Sequence, residues 1–330
     1  MLYPLRFHPI FKERLWGGQE LRRLYGKSFP PGKAVGEAWE ISDRPGDVSV
    51  IANGPFAGRD LHWLMQQHRE ALLGEAVAPR GRFPLLVKIL DAREILSVQV
   101  HPPAAVAPQL GGEPKTELWY VTHTRPGARL SAGLKAGVSR EHFERCLRDG
   151  TVAECIHEVP VEAGDDMFLP SGRVHALGAD MVIFEIQENS DTTYRVFDWN
   201  RVGPDGRPRE LHVEAALASI DFADAEPALV TSPWQVEDDG HVRRRRLVEH
   251  SLFTVDEFRV AQRSRRSGEG GGVKILGVVS GALRVDHPVD GGGFELSPGD
   301  FALIPAQPGG GELSFAPGTI YLEARPGSGG

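Results

Sequence analysis

The segment LSVQVHP, residues 96–102, places two polar side chains inside an apolar, β-branched run. Side chains at positions i and i+2 of a strand point to the same face of a sheet, so Gln99 and His101 share a face. An inward-facing carboxamide and imidazole are costly to bury unless something satisfies them. A metal ion is the usual partner when one of the two is histidine. The segment therefore predicts a β-strand that carries part of a metal site.

The composition indicates a globular protein built from many short strands. Of the 330 residues, 41% are hydrophobic and 25% are charged, and there are 39 glycines and 25 prolines. Frequent glycine and proline between short apolar runs favour short strands and tight turns over long helices. The formal net charge of −8 argues against nucleic-acid binding. It also means that an anionic substrate needs a local cluster of cations.

The cysteines and the N-terminus bear on the cellular compartment. Cys146 and Cys155 are the only cysteines, and their spacing matches no common metal motif. We expect two reduced thiols, as in a cytoplasmic protein. The N-terminus lacks the apolar core of a signal peptide, and no apolar run approaches the length of a membrane span. The sequence therefore predicts a cytoplasmic protein without a membrane or nucleic-acid partner, and it leaves the oligomeric state open.

The chain divides into a longer and a shorter β-rich part. Strands are predicted at residues 84–90, 95–101, 117–122, 167–169, 181–187 and 194–199, with helices at 61–73, 139–149 and 210–220. Turn residues and the basic run Arg243–Arg246 cluster near residues 225–245, and we interpret the basic run as a solvated loop or strand end. We predict a domain at 1–225, a linker at 226–240, a second domain at 241–325 and a disordered tail at 326–330.

A seven-residue pattern occurs once in each part. GDDMFLP at 164–170 and GDFALIP at 299–305 both read Gly-Asp-x4-Pro, a turn followed by a short apolar strand. This echo indicates two copies of one β unit, unless two common turn motifs coincide by chance. The first copy leads into His175, whereas the second continues through residues 306–309 without a histidine. If the units are duplicates, only the first kept a metal ligand.

Four potential metal ligands lie between residues 99 and 175, and they are Gln99, His101, Glu117 and His175. Each has a structural alternative, because a single strand histidine, glutamine or carboxylate is more often a core or surface residue. Their settings favour a joint role. Glu117 precedes the apolar run LWYV, and His175 follows a turn that can direct an imidazole back toward a barrel. Such a nitrogen and oxygen set suits Zn²⁺, and Mn²⁺, Fe²⁺, Co²⁺ and Ni²⁺ remain open.

These motifs resemble those of the type I mannose-6-phosphate isomerases (phosphomannose isomerases), a family of the cupin superfamily. The run from Gly164 to His175 matches the second cupin metal motif, and residues 97–102, 115–120, 174–178 and 185–198 resemble the isomerases. The similarity extends to residues 15–18 and 36–42, and the length is that of the short bacterial form. It covers about the first 200 residues well and the rest only in layout. Residues 103–108, PAAVAP, depart from the polar acidic stretch that the family usually has there.

The resemblance implies a fold and a set of site residues. The implied fold is mainly β, with two cupin-type jelly-roll β-barrels and a few short helices, and only the first barrel carries metal. One zinc per chain would be bound by Gln99, His101, Glu117 and His175. The implied catalytic residues are Arg195, Lys115 and Lys88. The implied substrate-binding residues are Ser97, Lys115, Arg195, Trp16 and Glu37.

The implied activity is the reversible isomerisation of mannose 6-phosphate to fructose 6-phosphate through an enediol(ate). Three cations around a metal in an acidic protein suit a phosphorylated sugar better than a neutral one. The alternatives are a surface-facing lysine on an edge strand for Lys88, and an ion pair with Asp191 or Asp198 for Arg195. Two other functions stay open: a non-catalytic, sugar-phosphate-binding regulatory cupin, and another metal-dependent cupin enzyme. The base that removes the C2 proton is not assigned.

Overall fold

Short β-strands make up most of the regular structure, which confirms the prediction of a mainly β fold with a few short helices. The computed structural model describes residues 1–330 except 79–80, 203–205, 269, 271, 288, 290–291, 308–310 and 329–330. The strands are β1 (Phe7–His8), β2 (Ile10–Gly18), β3 (Val35–Ile41), β4 (Asp43–Arg44), β5 (Asp47–Val48), β6 (Val50–Ile51), β7 (Leu85–Ala92), β8 (Val98–Val100), β9 (Glu117–Thr124), β10 (Arg129–Leu134), β11 (Ile156–Pro160), β12 (Asp166–Leu169), β13 (His175–Ala176), β14 (Met181–Glu188), β15 (Tyr194–Phe197), β16 (Gln235–Glu237), β17 (Val242–Glu249), β18 (Phe253–Val260), β19 (Ser264–Ser267), β20 (Lys274–Ser280), β21 (Leu283–Asp286), β22 (Phe294–Leu296), β23 (Phe301–Ile304), β24 (Glu312–Phe315) and β25 (Thr319–Pro326). The helices are α1 (Glu20–Tyr25), α2 (Leu61–Gln67), α3 (Arg69–Leu73), α4 (Arg140–Asp149) and α5 (Val213–Ser219), with 3₁₀ turns at Ala107–Leu110, Val152–Cys155 and Asp238–Gly240.

The three predicted helices are present with altered ends. The predicted helix at 61–73 is divided into α2 and α3 at His68. α4 begins as expected, because the Ser139 side chain accepts a hydrogen bond from the His142 main-chain N–H at 3.2 Å, and it ends at Gly150 with a φ of +72°. Among the helices that the structure describes, none has the length and apolar character needed to cross a bilayer.

The N-terminal part forms two facing antiparallel sheets. Sheet I has the strand order β12-β9-β14-β7-β2-β3, and sheet II has the order β11-β10-β13-β8-β15. Trp119, Met167 and Ile183 of sheet I pack with Leu130 and Val159 of sheet II in one buried cluster. We call this pair of sheets the first sandwich. Two facing antiparallel sheets are the arrangement from which jelly rolls are built.

The C-terminal part repeats this arrangement. Sheet III has the order β16-β17-β18-β25-β20-β23, and sheet IV has the order β19-β24-β21-β22. Phe258 and Val278 of sheet III pack with Val285 and Leu313 of sheet IV. We call this pair the second sandwich.

The two large sheets pack back to back. On β14, Val182, Phe184 and Ile186 lie in a core that also contains residues of sheet III, and the rings of Phe184 and Phe301 are 4.9 Å apart. The alternate residues of β14, Met181 and Ile183, lie in the core of the first sandwich. β14 is therefore buried on both faces, which explains its nearly continuous apolar sequence.

The Gly-Asp-x4-Pro echo corresponds to two equivalent edge strands. β12 is the edge strand of sheet I beside β9, and β23 is the edge strand of sheet III beside β20. In both turns the Asp side chain accepts a main-chain N–H, at 2.8 Å from Glu162 to Asp165 and at 3.0 Å from Ser297 to Asp300. Both copies thus share turn and sheet position. Part of the continuation at 306–309, Pro308 and Gly309, lies outside the described residues.

The interpretation of Arg243–Arg246 as a solvated loop or strand end is wrong. The run lies inside β17, between β16 and β18. Cross-strand carboxylates compensate the charges: Arg246 Nε lies 2.6 Å from Asp256 Oδ1, and Arg245 Nη2 lies 2.6 Å from Glu257 Oε2. These carboxylates follow the run by about ten residues, and only the antiparallel pairing of β17 with β18 brings them opposite the arginines.

The disordered tail predicted at 326–330 begins too early. Pro326 ends β25 opposite Phe253, the Gly327 N–H donates to Leu252 O at 2.8 Å, and the Val77 N–H donates to Gly327 O at 3.0 Å. These main-chain bonds order the chain as far as the described residues extend. Residues 329–330 lie outside the described part.

One arginine joins the two sandwiches electrostatically. Arg245 of β17 lies 3.2 Å from the buried carboxylate of Asp166 on β12 and donates to Gly164 O at 2.6 Å. Burial raises the pKa of Asp166 to about 7, although the Arg245 charge opposes this. Asp166 and Glu257 are both fully buried, so Arg245 is their shared counter-charge.

We expect Arg245→Met to lower the free energy of unfolding by about 3–5 kcal/mol, because it leaves the buried Asp166 carboxylate without its counter-charge, whereas Glu257 keeps Arg259 at 2.7 Å. Urea unfolding of the full chain measures this loss. The matched control is Arg243→Met, two residues away on the same strand and exposed. Equal stabilities of the two variants would contradict the role of Arg245.

We expect Asp166→Asn to change the pH dependence of stability. Because the folded-state pKa of about 7 exceeds the ordinary value of 3.8, the folded chain binds more protons between these values. The wild type therefore loses stability relative to the variant as pH rises from about 4 to 7, by at most about 1.4 kcal/mol per pH unit. Urea unfolding at several pH values measures this difference. A difference that stays constant with pH would contradict the raised pKa.

Candidate metal and substrate site

Three of the four predicted ligands form one buried cluster. His101, Glu117 and His175 are each no more than 1% exposed, and their potential ligand atoms all lie within 4.8 Å of one another. His175 on β13 lies opposite Gln99 on β8 in sheet II, and Glu117 begins β9 in sheet I. The cluster therefore joins the two sheets of the first sandwich.

The nitrogen and oxygen lone pairs of this cluster point at one another. Glu117 Oε1 lies 3.3 Å from His175 Nε2, and Oε2 lies 3.5 Å from His101 Nε2. His101 Nδ1 lies 2.8 Å from Thr192 O, and His175 Nδ1 lies 2.9 Å from Arg173 O. Since a carbonyl only accepts, each Nδ1 carries the proton and each Nε2 presents a lone pair to Glu117. Within the described part of the chain, His101 Nε2 and Glu117 Oε1 have no hydrogen-bond partner.

The protonation states suit a divalent cation. Burial lowers the pKa of His101 to about 4, and burial also lowers the pKa of His175, so both imidazoles are neutral. Burial alone would raise the pKa of Glu117, but the Lys115 ammonium lowers it well below its usual range. Two neutral imidazole nitrogens and a carboxylate, with their lone pairs converging and unsatisfied, fit Zn²⁺.

Gln99 lies at the boundary between this cluster and an open cavity. Its amide nitrogen is 3.3 Å from His175 Nε2. A half-turn of the amide would present Oε1, the atom that coordinates a metal, to the same point. Gln99 is half-buried and also lines the cavity, so the sequence-predicted set is brought together in space.

The cavity beside the cluster has a volume of about 490 Å³. Its charged lining comprises six cations and four carboxylates: Lys12, Arg14, Lys88, Lys115, Arg195, Arg209, Glu37, Asp47, Glu185 and Asp191. The implied substrate residues Trp16 and Ser97 also line it. All the residues that the family resemblance implied for substrate and catalysis therefore face one space.

A chain of alternating charges leads from the cluster along the cavity wall. Lys115 Nζ lies 2.7 Å from Glu117 Oε2 and 3.9 Å from Glu185 Oε1, and Lys88 Nζ lies 3.0 Å from the same Glu185 oxygen. The other Glu185 oxygen accepts a hydrogen bond from Trp119 Nε1 at 2.9 Å. Burial would lower the pKa of Lys115, but Glu117 and Glu185 raise it, so the ammonium is charged.

The alternative of a surface-facing edge lysine is wrong for Lys88. Its strand β7 lies between β14 and β2 in sheet I, and the residue is 6% exposed. Its ammonium lies 5.0 Å from the ring centroid of Trp39, at cation–π distance. Lys88 is therefore held by the wall of the cavity.

Arg195 lies opposite Gln99 where β15 pairs with β8. Its Nε donates to Ser97 Oγ at 3.3 Å, and Nη1 donates to Glu210 O at 2.8 Å. Burial, followed by the charge of Arg209, lowers the pKa of Arg195 from its ordinary value. The guanidinium is thus aimed at the cavity by neutral acceptors.

The alternative of a structural ion pair is also wrong for Arg195. Asp191 pairs with Arg44 at 2.7 Å, and Asp198 pairs with Arg201 at 2.6 Å and with Arg209. Among the residues that the structure describes, no carboxylate lies within 4 Å of the Arg195 guanidinium.

Several cavity residues were not predicted from the sequence. Glu37 is held by Arg14 Nε at 2.7 Å and Trp39 Nε1 at 2.6 Å, and neither partner was predicted. Lys12 and Arg14 share the period-two face of β2 with Trp16, a signal that the sequence contained. Glu185 lies opposite Lys88 in the pairing of β14 with β7.

Residues 103–108, the stretch that departs from the family pattern, lie away from the cavity. None of them lines it. The segment turns back on itself through a hydrogen bond from the Ala107 N–H to Pro103 O at 2.9 Å and enters the 3₁₀ turn. The altered segment therefore contributes no residue to the cavity lining.

A second group of potential ligands was missed by the sequence spacing. His142 and Cys146, one turn apart on α4, meet Cys155 with all three ligand atoms within 4.8 Å. Both cysteines are free and buried, and burial followed by hydrogen bonding with Cys146 raises the pKa of Cys155 to about 12. Cys155 is therefore a neutral thiol, as expected for a reduced pair.

Comparisons with known proteins identify the family of this chain. Residues 5–111 match the family model of the phosphomannose isomerase type I catalytic domain. A probable mannose-6-phosphate isomerase, GmuF, of Bacillus subtilis is 36% identical over 310 residues, which cover 93% of this chain and 94% of that protein. The mannose-6-phosphate isomerase of Streptococcus mutans is 36% identical over 306 residues, 92% of this chain and 93% of that protein.

Solved structures give the same answer for the fold. The crystal structure of the mannose 6-phosphate isomerase from Bacillus subtilis superposes with a TM-score of 0.86 at 29% identity and covers 98% of this chain and 99% of that chain. A putative mannosephosphate isomerase from Archaeoglobus fulgidus, at 21% identity and a TM-score of 0.76 over 99% of each chain, has the same fold. Because the chain is 36% identical to the Bacillus subtilis and Streptococcus mutans proteins over more than 90% of its length, it belongs to the type I mannose-6-phosphate isomerase family.

Proposed function

We propose that this protein interconverts mannose 6-phosphate and fructose 6-phosphate at one metal ion. The observation that carries the proposal is the unsatisfied cluster of His101, Glu117 and His175 beside a cavity lined by six cations. The family membership supplies the substrate. A non-catalytic, sugar-phosphate-binding protein would need cations but no buried lone pairs converging beside them.

The metal would be one Zn²⁺ per chain, held by Gln99, His101, Glu117 and His175, with other first-row divalent ions as alternatives. When bound, it supplies a positive charge that stabilises negative charge on a substrate oxygen. The hydrogen bonds from His101 and His175 to main-chain carbonyls fix the tautomers that such binding requires.

The cations that line the cavity differ in their exposure to solvent. Arg14 is 38% exposed and Arg209 is 25% exposed, whereas Lys88 and Lys115 are 7% and 4% exposed. We infer that the exposed cations attract and bind the phosphate group, because arginine forks match phosphate oxygens. The buried lysines then face the sugar carbons nearest the metal.

Isomerisation moves a proton between C1 and C2 and builds negative charge on an enediolate oxygen. Arg195 has no carboxylate partner to neutralise it within the described residues, so its guanidinium is available to stabilise that charge. Lys115, Lys88 and Glu185 form a connected row in which a proton can be held at Nζ or at Glu185 Oε1. These groups are the candidates for ring opening and for transfer of the C2 proton.

We expect removal of metal by a chelator to abolish isomerase activity and zinc addition to restore it.

Glu117→Gln keeps the shape of the side chain but removes the anionic ligand, so metal content falls and activity drops more than about 100-fold. A coupled assay with mannose 6-phosphate and elemental analysis measure both. Exposed Glu158→Gln is the control. Full activity in metal-free protein would contradict the metal site, and inactivity under every condition would contradict the proposed reaction.

We expect Arg195→Met to lower kcat by about 10²–10³-fold, because it removes a cation aimed at the developing enediolate charge. Metal content stays at the wild-type level, since Arg195 is not a ligand. Arg148→Met, at an exposed position of α4, serves as the matched control. An unchanged kcat in the Arg195 variant would contradict this role.

A further inference from the structure

The second sandwich repeats the first closely enough to match positions. The order β12-β9-β14-β7 in sheet I corresponds to β23-β20-β25-β18 in sheet III. Glu117 pairs with Leu169, and Lys274 pairs with Ile304. Leu169 and Ile304 both directly precede the proline of the Gly-Asp-x4-Pro pattern. Lys274 therefore occupies the position of Glu117, so that a cation replaces the carboxylate of the metal cluster.

Two of the three remaining ligand positions, those of His175 and Gln99, have also changed. β24 lies between β21 and β19 as β13 lies between β10 and β8. Leu313 and Arg266 pair across β24 and β19 and line one cavity together with Lys274, just as His175 and Gln99 pair beside Glu117 in the first sandwich. An apolar residue and a second cation thus stand where an imidazole and a carboxamide stand in the first sandwich. The matched site has lost the chemistry of a cation receptor.

Beside Lys274, the strand neighbours retain the counterpart of Glu185 but have a carboxylate in place of the Lys88 ammonium. Glu185 lies opposite Trp119, two residues after Glu117, and Glu323 lies opposite Leu276, two residues after Lys274. Glu323 therefore matches Glu185. Its cross-strand partner on β18 is Asp256, whereas the partner of Glu185 is Lys88. The alternating charges of the first wall are therefore not reproduced.

A cavity of about 330 Å³ lies at this matched position. Its charged lining has five cations and three carboxylates: Arg244, Arg246, Arg266, Lys274, Arg325, Glu237, Asp256 and Glu323. The lining therefore carries two more positive than negative charges, in a chain whose net charge is −8. A local excess of cations in an acidic protein is the condition for selective anion binding.

The arginines of this cavity have carboxylate neighbours. Arg266 Nη2 lies 2.7 Å from Glu237 Oε2, and Arg246 Nε lies 2.6 Å from Asp256 Oδ1. Arg244 Nε lies 3.1 Å from the same Asp256 oxygen. These ion pairs orient the guanidinium groups around the cavity.

Lys274 differs from the arginines. It is 5% exposed, and within the described residues its ammonium has neither a hydrogen-bond acceptor nor a carboxylate within 4 Å. Burial, which the Glu323 charge only partly offsets, lowers its pKa. A little-exposed ammonium that lines a cavity without a close carboxylate is unfavourable unless an anion joins it.

We propose that the cavity of the second sandwich is an anion site for a phosphate group, with Lys274 as its central cation. Two excess positive charges match a phosphate dianion, and lysine with oriented guanidinium groups suits tetrahedral oxygens. The phosphate is either free inorganic phosphate or part of a small phosphorylated metabolite. The site is separate from the proposed isomerase site and does not depend on that reaction.

The test is phosphate binding by the full-length, zinc-loaded protein and its Lys274→Met variant, measured by isothermal titration calorimetry. The wild type binds one more phosphate per chain than the variant, or binds it at least about tenfold more tightly, a difference of about 1.4 kcal/mol. Any binding in the first cavity is common to both proteins and cancels in the comparison. Lys135→Met, at an exposed lysine, is the matched control and behaves like the wild type.

Thermal unfolding is an independent test, because the Lys274→Met substitution has opposite expected effects on stability with and without phosphate. Without phosphate, Lys274→Met is at least as stable as the wild type, because it removes a little-exposed cation that has no close carboxylate. With phosphate, the wild type gains more in melting temperature than the variant. Arg266→Met, tested in the same way, also loses part of this gain. Isomerase activity is unchanged by Lys274→Met, which separates this site from the catalytic one.

A second titration with glucose 6-phosphate distinguishes the two sources of phosphate. A Lys274-dependent site that prefers the sugar phosphate indicates a metabolite, and one that prefers inorganic phosphate indicates the free ion. Equal stoichiometry, affinity and thermal gain in the wild type and both variants would overturn the proposal.

Discussion

The buried carboxylate of Glu117 is the interaction on which the first sandwich depends. It meets two neutral imidazoles on one side and the Lys115 ammonium at 2.7 Å on the other. A charge at 0% exposure is tolerated only when its surroundings compensate it, so the strands that carry those partners must keep their register. A one-residue slip of β8 or β13 would turn Gln99 or His175 to the opposite face. The same electrostatic requirement thus specifies both the pairing of the sheets and the ligand geometry.

The sequence was most informative where one strand or one turn carries the signal. The spacing of Gln99 and His101 predicts their shared strand face, and the Gly-Asp-x4-Pro pattern predicts the two equivalent edge strands. It was least informative where partners come from distant strands. Lys88 and Glu185, which form an ion pair, are nearly a hundred residues apart in the sequence. Arg245 and Asp166 form an ion pair between the two sandwiches. Neither has a local pattern, because cross-strand neighbours depend on topology. The meeting of His142 and Cys146 with Cys155 was missed for the same reason.

The back-to-back packing of sheets I and III gives their strands two roles. Leu118 and Tyr120 of β9 lie in the shared core, whereas Glu117 and Trp119 lie on the site face. Close packing transmits a change in side-chain volume to its neighbours, so a substitution in the shared core can move a site residue without touching it. The arrangement of His101, Glu117 and His175 therefore depends partly on the second sandwich.

The period-two alternation of sheet III separates two kinds of selective constraint. Its outer residues, among them Val255, Ile275 and Leu322, are needed to bury the back of sheet I whatever chemistry the second sandwich performs. Its inner residues are released from that demand, because alternate side chains of a strand face opposite ways. A repeated β unit can then change the residues on its inner face yet remain indispensable to the fold. Within one strand, the outer residues can keep their packing role while the alternate inner residues change their chemistry.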